Sequence, residues 1–240
     1  MTIETLSATG KLKPQLVWRK WTTVKLSELY KFFGIILHMC LVKKPKLSDY
    51  WSTNPVLQSS FAAKCLPRDR FLLILRMLHL VDNATYIPKN QVGPDLILKV
   101  RPIFDRCVTQ SGKAYKPGEN ITIDEGISPF RGRLSFRVYM KIKPHKYGVK
   151  FFVLYESGYV LNCEIYSGNQ SNADNSILHI VDRLCLSFHN KGHTLYMARF
   201  YTSPDLLDYL WGKRTEAVGT VQKNRKGLPR DLVGQKLKKK

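Results

Sequence analysis

Asp124 stands in the run Ile121 to Gly126, where period-two alternation puts Ile121, Ile123 and Glu125 on one face of a strand and Thr122 and Asp124 on the other. A strand carboxylate can ligate a hard cation such as magnesium. Two that converge with a third can hold a cation pair about 3.5–4 Å apart, one cation activating an attacking oxygen and the other stabilising a leaving one. The bland alternative, an ordinary edge or turn acid, is equally open for Asp124. A second apolar run, His193 to Phe200, stops at a short turn before Pro204, and at its end, where another acid would complete such a site, stands Ala198. Seven cations, Arg131, Arg133, Arg137, Lys141, Lys143, Lys146 and Lys150, are interleaved with Phe136, Tyr139 and Tyr147. They are either phosphate contacts or the solvated face of a hairpin. Lys223, Arg225, Lys226 and Arg230 form a second cluster around Gly227 and Pro229, to be read as a shaped basic loop or a flexible basic tail.

The whole chain leans the same way. Its 39 Lys and Arg against 18 Asp and Glu give a formal charge of +21, which favours a polyanionic partner, with nucleic acid ahead of an acidic membrane surface or acidic protein. A hydrophobic fraction of 44% over 240 residues supplies an ordinary core and argues against disorder. The five cysteines are scattered, with no C-x-x-C pair, and read as buried free thiols in a reducing compartment. His189 and His193 lack a cysteine partner at metal-binding spacing and read as surface histidines. Trp51 and Trp211 read as packing residues. The longest apolar run, Phe32 to Val42, is too short to span a bilayer, and the amino-terminal stretch lacks an apolar secretory segment. A soluble, intracellular protein with no membrane partner is expected.

The elements that must position these groups fall into two halves. Leu26, Leu29, Tyr30, Phe33, Ile36, Leu37 and Cys40 recur at three- and four-residue steps and predict an amphipathic helix ending before Pro45. A second helix is expected from about Pro67, carrying Phe71, Ile74, Leu75 and Leu78, and a third from an Asp95 N-cap with a kink at Pro102. From Lys116 the runs ENITIDEGISPF, YGVKFFVLYES and YVLNCEIYSG predict three strands. A helix follows from an N-cap near Asn172 or Asp174, then strand, helix and strand again. The expected class is α+β: a helical domain over 1–115, a sheet-bearing core over 116–222 and a basic tail over 223–240. The order strand-strand-strand-helix-strand-helix-strand is that of a ribonuclease H-like fold, here expected to be cut short at the C-terminus.

The stretch from Ile121 to Val160 resembles the opening of the catalytic domain of piggyBac-type transposases, with an Asp-Glu pair, a Phe-Arg-Gly-Arg turn and a Lys-Pro-x-Lys-x-Gly-x-Lys segment. LPRDRFLLILRMLHLVDN and GTVQKNRKGLP resemble that family's upstream helix and downstream basic loop, and the resemblance runs from about Leu29 to Pro229. It implies a magnesium-dependent DNA transposase of the three-Asp type, with Asp124 as the first Asp. In the family the fourth strand ends Asp-Asn-Phe-Tyr-Thr-Ser, whereas this chain reads Ala198, Arg199, Phe200, Tyr201, Thr202, Ser203. By the resemblance, the second metal ligand is therefore lost and a cation stands beside it. The third ligand and the family's cysteine-rich zinc module would lie beyond the last residue here, and Asp205, Asp208 and Asp231 do not match the motif. The expectation is a transposon-derived nuclear protein that does not cut, retains Asp124 as sole metal ligand, needs no cofactor, and binds DNA through Arg131, Arg133, Arg137, Lys141, Lys143, Lys146, Lys150, Lys223, Arg225 and Lys226. A homodimer is a further expected assembly. The other function classes are a protein-interaction module, a decaying transposon fragment without a DNA-binding role and, less favoured, an active nuclease with a rearranged ligand set.

Overall fold

The computed structural model describes residues 21–85, 87, 95–141, 145–168 and 176–229. It divides into two compact units, residues 1–79 and 80–240, each described separately below.

In the first unit helix α1 (Leu26–Leu41) is followed by a 3-10 turn (Leu47–Trp51), α2 (Ser60–Cys65) and α3 (Arg68–Met77). Phe32, Ile35, Tyr50, Ala62, Leu66, Phe71 and Ile74 form its core, with the Phe71 ring 4.9 Å from Phe32 and 5.0 Å from Trp51. The helix α1 is as expected, but the face is not. Leu26, Tyr30, Phe33 and Leu37 are exposed, whereas Phe32 and Ile35 are fully buried. The sequence LSELYKFFGIILHMCL is apolar around most of its circumference, so periodicity alone does not select the buried side. Leu75 and Leu78 likewise lie outside the core.

Glu28 closes the first turn of α1 by accepting from the Lys25 backbone N–H, and the Arg70 guanidinium grips the same carboxylate with two bonds of 2.9 Å. That grip, reinforced by the backbone bond, holds the Glu28 carboxyl down at about 2. Because the folded-state value lies below the unfolded one near 4.5, this contact stabilises the unit above that pH and is lost as pH falls towards 2. Replacing Arg70 with Met should flatten the acid limb between pH 4.5 and 2 of a urea-midpoint titration followed by near-ultraviolet circular dichroism, and an unchanged limb would show that Arg70 does not carry it.

The second unit carries a 3-10 turn (Asn83–Thr85), a later turn in which Asp95 accepts from the Ile97 N–H, and then α4 (Arg101–Ala114). Pro102 sits in the first turn of α4 and starts the helix instead of kinking it, because the proline's missing N–H has no partner to lose there. The helix packs on the sheet, with the Phe104 ring 6.2 Å from Phe151 at a tilt of 39° and the Tyr159 hydroxyl donating to the Ser111 carbonyl. This third helix, expected in the amino-terminal domain, therefore falls in the same compact unit as the strands, and the division lies between His79 and Leu80.

The sheet contains β1 (Asn120–Pro129), a two-residue β2 (Val138–Tyr139), β3 (Tyr147–Glu156), β4 (Tyr159–Ile165), β5 (Thr194–Met197) and β6 (Glu216–Gly219). Its order is β2-β3-β1-β5-β6, with β4 also pairing β3. The pairs β1–β3 and β3–β4 are antiparallel, while β5 joins β1, and β6 joins β5, in parallel. Parallel pairing needs crossovers, supplied by α5 (Ile177–Cys185) and α6 (Pro204–Gly212). The side-chain oxygens of Ser176 and Ser203 accept from the first-turn N–H groups of these helices. The expected cap sites Asn172 and Asp174 lie outside the described residues. Ile121, Ile123, Phe152, Leu154, Leu195 and Met197 from the strands meet Ile180, Val181, Leu184, Leu206 and Leu210 from the helices in one core. Arg183 ties α5 to β4 through two bonds to Glu164 of 3.0 and 2.7 Å.

Three expectations about single residues fail. Cys40 and Cys107 are exposed, and only Cys185 is fully buried, where burial pushes its thiol up to about 12. Trp211 is 76% exposed, whereas Trp51 packs as expected. His189 is not a surface residue, its side chain being 10% exposed. It bridges Thr215 at 3.0 Å and Asp182 at 3.1 Å, and Asp182 also accepts from the Tyr209 hydroxyl. This hydroxyl-imidazole-carboxylate array has the make-up of a nucleophilic triad, but Thr215 is only 3% exposed and its own hydroxyl donates to the Lys213 carbonyl. Without access to a substrate it serves to pin the α6–β6 turn to α5.

Candidate functional site

Strand geometry sets the relation between Asp124 and Ala198. Strands β1 and β5 run parallel with Ile123 opposite Met197, so Asp124 and Ala198 occupy the next step of the register, on adjacent strands. Burial alternates as expected along β1, with Ile121 and Ile123 fully buried and Thr122 and Asp124 half-buried. Ala198 follows immediately after β5 and starts a tight turn, in which its carbonyl accepts from the N–H groups of Tyr201 and Thr202 and from the Thr202 hydroxyl.

The carboxylates of β1 at this point, Asp124 and Glu125, are both engaged within the protein. An Asp124 oxygen accepts from the Glu125 N–H at 2.7 Å. Glu125 pairs with Lys150 at 3.7 Å, and the two side chains are 13% and 15% exposed. Burial raises the Glu125 carboxyl above the usual carboxylate range, the adjacent Asp124 reinforces the shift, and the Lys150 ammonium opposes it. The neighbouring register position carries a methyl group, and Arg199 beside it is exposed. Among the described residues no three His, Cys, Asp or Glu side chains group to hold a metal ion.

The Lys150 ammonium is enclosed by aromatic rings, 4.6 Å from the centroid of Phe152, 4.8 Å from Phe200 and 5.8 Å from Tyr166. Such rings attract a cation through their negative faces. Close by, the Tyr201 hydroxyl is buried without a hydrogen-bond partner, and burial together with Glu125 and Asp124 pushes its ionisation well up. Lys150 thus acts as an internal counter-ion. Replacing it with Met should leave Glu125 buried without its cation, raise its carboxyl further and cost about 1–3 kcal/mol in a urea titration at neutral pH, a cost that shrinks as pH falls and Glu125 takes up a proton. A neutral result would place Glu125 in water instead.

The basic residues separate into two groups by what their side chains do. Arg137 folds back on its own loop, donating to the carbonyls of Arg131 and Gly132 at 3.1 Å each and lying over the Tyr147 ring. Arg225 donates to the carbonyls of Arg199 and Phe200 at 3.1 and 2.7 Å. With Lys150, these three cations are committed to the protein itself. Arg131, Arg133, Lys141, Lys146, Lys223 and Lys226 are exposed, and Lys143 lies outside the described residues, as does Arg230.

Backbone geometry brings the exposed group together. The loop from Phe130 to Lys146 leaves the carboxyl-terminal end of β1 and returns through β2 onto the start of β3, with Met140 donating to the Lys146 carbonyl. Gly148 is required at this return, because a Cβ there would clash with the Ser128 carbonyl. Arg225 fastens the second basic segment to the turn that follows β5. Both segments therefore lie towards the carboxyl-terminal ends of β1 and β5, the side on which Ala198 follows β5. Strand periodicity made Asp124 legible, but nothing in a one-dimensional charge run distinguishes Arg225 and Arg137 from their solvated neighbours.

The Transposase IS4 family model matches residues 3–240. Human PiggyBac transposable element-derived protein 3 is 29% identical over 207 residues, which cover 82% of this chain and 34% of that protein. Human PiggyBac transposable element-derived protein 2 is 25% identical over 219 residues, covering 87% of this chain and 36% of that protein. A cryo-electron-microscopy structure of the piggyBac transposase synaptic complex with hairpin DNA superposes with a TM-score of 0.80 at 26% identity, over 97% of this chain and 49% of that one. The chain thus spans about a third of the length of these curated relatives and half of that structure. A match over nearly every residue, together with the Asp-Glu strand and the Phe-Tyr-Thr-Ser turn in their expected places, shows that the chain belongs to the Transposase IS4 family of piggyBac-type transposases.

Proposed function

We propose that this chain is a piggyBac-derived DNA-binding protein that holds duplex DNA by its phosphates and does not cleave it. The observation that carries the proposal is the register of β1 and β5, which sets Ala198 beside Asp124 where the family pattern has a second Asp, with six exposed cations at that end of the sheet. Three antiparallel strands followed by two parallel, helix-linked ones support reading the core as ribonuclease H-like. The relative whose structure contains hairpin DNA supports a DNA partner. On this reading the protein acts in the nucleus, needs no magnesium for binding, retains Asp124 as a lone ligand and pairs with a second copy of itself. Incubation with supercoiled plasmid and magnesium or manganese should retard the plasmid without nicking it. Metal-dependent nicking that disappears in Asp124→Asn would overturn the reading in favour of an active nuclease.

A second reading, a protein-interaction module, draws on the apolar row Leu26, Tyr30 and Leu37 of α1, exposed by 68%, 72% and 66%. Retardation of plasmid that is absent even at low salt would favour it.

A further inference from the structure

At the amino-terminal ends of β1 and β5 lies a cavity of about 780 Å³. One wall is the last turn of α4 and the segment leading into β1, residues 112–119, and the other is the loop from α5 into β5, residues 187–193. Two cross-links hold the walls at a fixed separation. His193 Nδ1 bonds the Gly118 carbonyl at 2.8 Å, and the Thr194 N–H donates to the Glu119 carbonyl at 2.8 Å. The carboxylate of Glu156 accepts from the Gly118 N–H at 3.1 Å through both oxygens, which fixes the first wall again.

The lining is cationic and aromatic. Lys113, Lys116 and Lys191 face Glu119 as the one acid. Lys191 donates to the Ser187 carbonyl at 2.6 Å, while Lys113 and Lys116 have no ion pair or hydrogen bond among the described residues. Tyr115 stacks on Tyr159 with ring centroids 4.6 Å apart, presenting a supported aromatic edge to the cavity. The carbonyl end of α4 and Glu119 oppose an anion here, and three lysines outnumber them. The volume lies within the range of small-ligand pockets, about 300–1,000 Å³, and the concave shape separates it from the open basic loops at the other end of the sheet.

We propose that this cavity binds a phosphate-bearing small molecule of nucleotide size, with Lys113 and Lys116 on the phosphates and Tyr115 against the ring system. Asn120 opposite Thr194 begins the parallel pair and Asp124 follows four residues on, so the cavity is about 13 Å along the strands from Asp124, and the basic loop leaves β1 farther on, after Pro129. The inference stands apart from the proposed function and survives its failure.

The test is titration of the nitrogen-15-labelled full chain with ADP in metal-free buffer, followed by backbone amide shifts. Saturable shifts confined to residues 112–119 and 187–193 are expected. Lys113→Ala with Lys116→Ala should weaken ADP about tenfold or more, whereas Lys223→Ala with Lys226→Ala should leave it unchanged. Shifts spread over residues 131–146 and 223–226, or an equal loss in both double variants, would mean that ADP reads only the net charge and would overturn the proposal. Inorganic phosphate binding as tightly as ADP would overturn the nucleotide-sized ligand, and absence of any shift at low salt would overturn the site.

Discussion

Duplex DNA should bind this chain about 500-fold more tightly at 50 mM than at 200 mM monovalent salt, with little preference for sequence. The figure follows from counter-ion release: if about five phosphates are neutralised, log K falls against log salt with a slope of about −4.5. Six exposed cations, Arg131, Arg133, Lys141, Lys146, Lys223 and Lys226, are available at one end of the sheet to supply those contacts. Arg131→Glu with Lys146→Glu should weaken binding for every sequence tried and reduce the slope by about 1.8, since each lost phosphate contact removes about 0.9. Arg137→Ala should act differently. It removes the bonds that hold the carbonyls of Arg131 and Gly132, so a loss of affinity there comes with greater loop motion and a smaller change in slope. Fluorescence anisotropy over a salt series measures all of this. A slope near zero, or strong selection among unrelated duplexes, would defeat the phosphate-contact account.

The contrast between Arg131 and Arg137 shows where sequence reading reaches its limit. The strands were legible because β-branched and aromatic residues run together over Ile121 to Ile123 and Phe151 to Tyr155, with Gly, Ser and Pro between the runs, and strands favour such residues. The buried side of α1 was not, since Leu26, Tyr30 and Leu37 are as apolar as Phe32 and Ile35, and only the packing of Phe71 decides between them. Sequence alone does not separate Arg137, Lys150 and Arg225 from the phosphate contacts, because a cation in a basic run looks the same whether it faces water or a backbone carbonyl. Their roles depend on loop closure across five to twenty-six residues. The His189 array joins Asp182, Tyr209 and Thr215 from three elements, and no local spacing announces it.

The position of Ala198 was legible by a different route, comparison of Phe200 to Ser203 with a family pattern, and it supports the second large effect. Restoring a carboxylate with Ala198→Asp, together with Arg199→Asn, should raise manganese affinity about tenfold or more over the unmodified chain. The change sets an acid one register step beyond Met197, beside Asp124 one step beyond Ile123, and removes a cation that opposes a divalent ion. Two neighbouring carboxylates repel each other when no ion is bound, so the double variant should also lose stability in metal-free buffer and regain it with manganese. Cutting should not follow. The variant adds one carboxylate to Asp124 while Glu125 stays engaged by Lys150, which leaves too few free oxygens for a cation pair. Titration calorimetry and thermal unfolding with and without manganese read the first two effects, and the plasmid assay reads the third. Unaltered manganese affinity in the double variant would mean that residues 124 and 198 do not converge, which would remove the geometric basis for reading the unmodified site as a transposase centre that has lost its second ligand.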